Sequence, residues 1–206
     1  MQPENRSTAQ DGGSFIEQAR RAQIVRSAIT TIAELGHARA SFARIAERAG
    51  VSPALISYHF AGKDELIEQV LAEVLSSMRA EISTRTERAQ SYTEALTMII
   101  EAQVHYFATH QVETMALGAI RSAVGTGPST MAWAGRAESL AELEEFLRAG
   151  QQAGEFRAFP PRVVAASILA SLEDIPAELR ARPDTDVRVH ARELAALFDR
   201  ATRRDG

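Results

Sequence analysis

Three observations predict an all-α fold for this 206-residue chain. Apolar residues recur at three- and four-residue spacing along almost all of it. Glycine and proline fall between the periodic runs, where helices start and stop. No alternating apolar–polar run of strand type survives beyond about five residues. About nine helices are expected, the first few forming a small N-terminal unit and the rest a larger body.

Residues 1–13 are rich in Gln, Ser, Asn and Gly, with too little apolar surface to offset their ordering entropy, and are expected to be a disordered tail. From Ser14 a helical pattern runs through Ile24, Val25, Ala28, Ile29 and Ile32 to Leu35, with Gly36 at the C-cap position. Ser41 offers an N-cap for a short helix carrying Phe42, Ile45, Ala46 and Ala49, ending at Gly50. Ser52-Pro53 restarts the chain as N-cap and first helical residue of the next, which holds Leu55, Ile56 and Phe60. Lys63-Asp64-Glu65-Leu66 opens a longer helix reaching toward Gln90. Further helices are predicted over 92–109, 112–124, 131–153, 161–181 and 186–203, with no internal repeat and no low-complexity block.

The net charge of −4 conceals a division. Residues 14–63 carry +4, residues 64–206 carry −7, and the first thirteen carry −1. Such asymmetry suits an anion-binding segment attached to a separate acidic body. Within the basic segment, SFARIAERAGVSPALISYHFAGK has the form of a helix-turn-helix. Gly50 permits the positive φ of the tight turn. Ile45, Ala46, Val51, Ile56 and Phe60 supply the small core that sets the crossing. Pro53, Ala54, Ser57 and Tyr58 are left facing outward, a surface without acid and of a size to enter a major groove.

The segment from about Ile24 to Leu71 resembles the N-terminal domain of TetR-family transcriptional regulators. Ile45-Ala46, Ala49-Gly50-Val51-Ser52, Tyr58-His59-Phe60 and Lys63-Asp64-Glu65-Leu66 carry the resemblance, all in register. It implies a helix-turn-helix DNA-binding domain over 14–63 and a ligand-binding and dimerisation domain over 64–206. It also implies DNA-facing roles for Ser41, Arg44, Ser52, Pro53, Ala54, Ser57, Tyr58, His59 and Lys63. Lys63 opens a helix whose free amides and positive end suit a phosphate. Ser57 departs from the tyrosine many members carry there, which puts one usual contact in doubt.

Expected partners are therefore a double-stranded DNA operator, a second copy of the chain and a small-molecule effector of unnamed identity. The expected activity is that of a repressor released by that molecule. A ligand-independent or activating regulator, an all-α enzyme and an interaction module are the alternatives. In the body, Val164, Ile168 and Leu172 form one narrow apolar stripe, and Val187, Ala191, Leu194 and Phe198 another. Both are candidates for a two-fold helical interface. Met98, His105, Tyr106, His110, Met115, Trp133 and Phe146 concentrate aromatic, Met and His side chains in the centre and are the candidate ligand pocket. Glu173 interrupts an apolar segment, either as a solvent-facing turn or as a partner for a cationic ligand.

No Cys is present, which removes disulfides, thiolate metal sites and cysteine nucleophiles. No GxSxG, HExxH, P-loop or dinucleotide fingerprint occurs, and His105 and His110 do not share a helix face, so neither catalysis nor a metal or other cofactor is expected. The polar first residues lack a signal-peptide core and no run is long enough to span a bilayer, so a cytoplasmic location without membrane partners is expected.

Overall fold

Gly36, at φ 79°, ends the first helix, because the left-handed backbone it adopts is open to glycine at little cost. Similar local signals delimit the other helices of the computed structural model, which describes residues 7–124 and 131–204, with side-chain surroundings over 15–123 and 135–204. Among the described residues nine α-helices occur: α1 Ser7–Leu35, α2 Phe42–Ala49, α3 Pro53–His59, α4 Lys63–Thr86, α5 Tyr92–Thr109, α6 Gln111–Val124, α7 Met131–Gln152, α8 Pro161–Ala181 and α9 Val187–Thr202. A 3₁₀ turn, His37–Arg39, joins α1 to α2, and an isolated antiparallel bridge links Phe156 to Arg203. The all-α prediction holds, and α4 stops at Thr86, short of the expected Gln90. α1 begins at Ser7, inside the segment expected to be a tail, whose first six residues lie outside the described ones.

Two apolar cores organise these helices. The first gathers Ile24, Ile32, Ile45, Ile56, Phe60 and Leu66 from α1–α4, together with Ala116 and Ile120 of α6. The second gathers Leu96, Ile100 and Val104 of α5, Leu147 of α7, Ile168 and Leu172 of α8 and Phe198 of α9. α4 belongs to both, with Leu66, Val70 and Val74 in the first and Met78 in the second. The Tyr106 hydroxyl donates to the Val74 carbonyl at 3.5 Å where the cores adjoin. Burial raises the Tyr106 phenol above its usual pKa.

α5 is buried on several sides and packs against α4, α8 and α9. That position corrects one expectation. The stripes Val164, Ile168, Leu172 and Val187, Ala191, Leu194, Phe198 do not wait for a second chain; they face this chain's own second core, where Ile168 is fully buried. A narrow apolar stripe requires a neighbouring surface, and α5, joined by α7 for the α8 stripe, provides it within the same molecule.

Tight packing closes the far end of the body. Gly150 N-terminal to the turn at Gly154 accommodates the Phe156 ring, and a Cβ built at Gly150 would lie 2.3 Å from it. The Arg157 amide donates to the Thr202 carbonyl at 2.9 Å and its guanidinium to the Ala201 carbonyl at 2.8 Å, tying this turn to the end of α9. Gly150→Ala forces overpacking against an immobile ring and is expected to cost about 1–3 kcal/mol. At about 2–4 °C per kcal/mol for a chain of this size, a calorimetric melt should show a fall of several degrees.

Candidate nucleic-acid interface

The sharp turn between α2 and α3 rests on Gly50, at φ 64° and ψ 34°, where a residue with a Cβ would be strained. The Gly50 amide donates to the Ala46 and Glu47 carbonyls, and the Val51 amide returns to the Ala46 carbonyl at 3.0 Å. Ser41 and Ser52 cap the two helices, their hydroxyls accepting from the Arg44 amide at 3.4 Å and the Leu55 amide at 3.2 Å. Ile45, Ala46, Ile56 and Phe60 fill the angle between the helices, as their sequence pattern predicts.

The faces away from that core carry Ser41, Arg44, Ser52, Pro53, Ala54, Ser57 and Tyr58, all exposed on the N-terminal head formed by α1–α4. The Tyr58 ring is 74% exposed, an unusual placement for a large aromatic side chain. It meets the His59 ring edge-on at 5.1 Å between centroids. Lys63 is half-buried, its ammonium donating to the His37 carbonyl at 2.6 Å, which leaves two N–H donors on that group for another acceptor. Burial and the neighbouring Lys63 hold the His37 imidazole below its usual pKa, so it adds little positive charge near neutrality.

His59 is placed differently from the other predicted contacts. Only 8% of it is exposed, and its Nδ1 has no partner among the described residues. Its carbonyl accepts from Arg21 of α1, a residue the sequence reading passed over. Arg21 also pairs with Glu65 at 3.3 Å and lies over the Phe60 ring at 4.4 Å. One guanidinium therefore fastens the end of α3, the α3–α4 link and the first turn of α4. Glu65 also accepts from the Ala61 amide at 2.7 Å, and that bond first, then Arg21, holds its carboxyl below the usual range. Arg48 donates to the Thr31 hydroxyl at 3.1 Å and pairs with Glu34, joining α2 to α1. Gln23 donates to the Ala49 carbonyl at 2.7 Å. The head's positive charge is thus partly spent on its own architecture.

The predicted pocket residues do not converge. Met98 and His105 line a cleft of about 810 Å³ between the end of α4, α5 and the start of α9. Met115 lines a second, of about 850 Å³, between α6 and α8. Phe146 lines a third of about 340 Å³ among α4, α5, α7 and α8. Tyr106 is buried in the second core and stacks on His110 at 4.1 Å. Trp133 falls on α7, but its side chain lies outside the described residues. Glu173 corrects the idea of a cationic ligand, because it pairs with Arg121 at 2.8 Å and accepts from Arg136 at 3.1 Å, so its charge is already met twice.

Residues 24–70 match the family of bacterial regulatory proteins described as the tetR family. The HTH-type transcriptional regulator BetI 1 of Chromohalobacter salexigens is 36% identical over 87 residues, 42% of this chain; the chain spans only 43% of that protein's length. The transcriptional regulator FadR from Bacillus subtilis, solved in complex with stearoyl-CoA, superposes with a TM-score of 0.72 at 17% identity, over 86% of this chain and 96% of that one. AibR, solved in complex with isovaleryl coenzyme A and operator DNA, superposes with a TM-score of 0.69 at 18% identity, over 87% of this chain and 96% of that one. At these identities the superpositions establish a shared fold.

Arg21→Met keeps the aliphatic stem but removes the donors to His59 and Glu65. Because Arg21 is about one-third exposed, the expected cost is modest, about 1–2 kcal/mol, measurable as a shift in denaturation midpoint. Hydrogen exchange at the amides of residues 59–61 should rise more than at α5, whose core the change does not touch.

Proposed function

We propose that this chain, whose residues 24–70 match the tetR family, is a homodimeric transcriptional repressor that binds a palindromic operator and leaves it when a small molecule arrives. The observation that carries this reading is the outward cluster on α2 and α3. A seven-residue α3 rises only about 10 Å along its axis, enough for a few base pairs, so two heads on two half-sites are needed for specificity. Tyr58 and the caps Ser41 and Ser52 suit phosphate and sugar, Arg44 suits a phosphate or a guanine edge, and Pro53 and Ala54 suit a thymine methyl. With no Lys or Arg on α3 itself, DNA shape carries part of the readout. The cytoplasm is the compartment this role requires.

The dimer uses the outer faces of α8 and α9, since their inner faces are occupied. Val163 is 61% and Leu197 57% exposed, and Ser167 and Ala170 continue the α8 face as small residues that admit a close helix. The coenzyme A esters held by two proteins of the same fold support a small-molecule effector, with acyl-CoA thioesters among the candidates. Release follows from linkage: an effector that binds better to a conformation with displaced heads weakens operator binding by the same factor.

Footprinting on the chain's own upstream region should protect two symmetric half-sites. Arg44→Ala and Tyr58→Ala should each weaken operator binding about ten- to a hundredfold while leaving the melting temperature unchanged, since both side chains are exposed. Weak, sequence-independent binding with no protected palindrome would remove the repressor reading.

Ala170→Glu changes an exposed helical position to a good helix former, so the fold should survive while the sedimentation mass falls from two chains to one. A variant that still sediments as a dimer would place the interface elsewhere.

A further inference from the structure

The cleft between α6 and α8 is lined by three arginines, Arg121, Arg136 and Arg180, and one carboxylate, Glu173. Two of the arginines converge on that single carboxylate, from α6 at 2.8 Å and from α7 at 3.1 Å. Glu173 carries one charge against their two, and Arg180 adds a third to the same cleft, so the cleft is cationic in a body that is acidic as a whole. Thr114 on its wall is buried, with 6% of the residue exposed, and its hydroxyl finds no partner among the described residues. A buried hydroxyl without a hydrogen bond is costly, and a ligand acceptor would satisfy it. Phe107 and Leu117 make the wall between these polar ends apolar.

We infer that this cleft is an effector site for an amphiphilic anion, a small molecule with an apolar chain and a carboxylate or phosphate group. Glu173 is the internal stand-in for that group, and the incoming anion takes Arg121 and Arg136 from it. Arginine binds carboxylate and phosphate alike through its planar fork, so the shared chemistry is an oxyanion. The chain of the ligand lies along Phe107 and Leu117, and one of its acceptors meets Thr114.

The site is also mechanically placed. Thr114, Leu117 and Arg121 occupy one face of α6, while Ala116 and Ile120 occupy another and are buried in the core of the reading head. Freeing Arg121 from α8 changes what holds α6, and the head rests on α6. This last step rests on the repressor reading of the preceding section; binding itself does not.

Calorimetric titration of the full chain with octanoate, octanoyl-CoA and the uncharged octanamide tests the site. Octanoate and octanoyl-CoA separate a free carboxylate from a phosphate-bearing thioester, and the tighter of the two identifies the source of the oxyanion. Glu173→Gln removes the competitor and should tighten that anion at least tenfold. Arg121→Ala should weaken it at least tenfold and serves alone if Glu173→Gln fails to fold. Octanamide should bind weakly and equally to all forms. Octanamide binding as tightly as the anions, no detectable binding of either anion, or affinities indifferent to both substitutions would overturn the site. A parallel band shift keeps the two readings apart. Charge-dependent binding by a protein that never binds DNA specifically would leave the site standing and remove the repressor. Specific operator binding with no charge-dependent ligand affinity would do the reverse.

Discussion

Ala116 and Ile120 belong to the body by sequence position but to the N-terminal head by burial, and the arrangement of the head depends on that fact. α6 packs along α1, the longest helix of the head, and α4 threads both cores. A head that shared no core with the body would swing on its link. Here the apolar surface of two body residues is removed from water only when the head sits in one orientation. Because close-packed interiors are not continuously deformable, any change in α6 would act on the core that Ala116 and Ile120 share with α1–α4.

Electrostatics complements packing at the other end of the head. Of the basic residues in the N-terminal segment, Arg21 and Arg48 hold helices together and Lys63 bonds to the His37 carbonyl. The outward face of α2 and α3 is mostly hydroxyl, aromatic and small apolar, and the Arg44 guanidinium is exposed there. The acidic balance of the rest of the chain discourages attraction to DNA in general, so the proposed operator binding has to rest on a few well-placed contacts.

The legible parts of the molecule were those set by local rules. Gly36, Gly50, Ser41, Ser52-Pro53 and Pro161 mark helix ends through the conformation or hydrogen bonding of one residue and its close neighbours, and all of them stand where their types predict. The outward residues of α2 and α3 follow from helical periodicity once Ile45, Ile56 and Phe60 are assigned to the core. His59 was not legible, because what fixes it is Arg21, 38 residues earlier in the chain. Nor was the Arg121–Glu173–Arg136 cluster, whose members come from three helices and show no common spacing.

The sequence by itself therefore determined the helices, their ends, the helix-turn-helix and the face it turns outward, since each depends on interactions within a few residues. Tertiary structure alone decided what each face meets. The apolar stripes of α8 and α9 announced that some helix must cover them, but periodicity carries no information on whose helix it is. α5 and α7 of the same chain cover them, and the outer faces are left for any partner. The central Met, His and aromatic residues likewise share a stretch of sequence without sharing a cavity, because successive helical positions point to different sides.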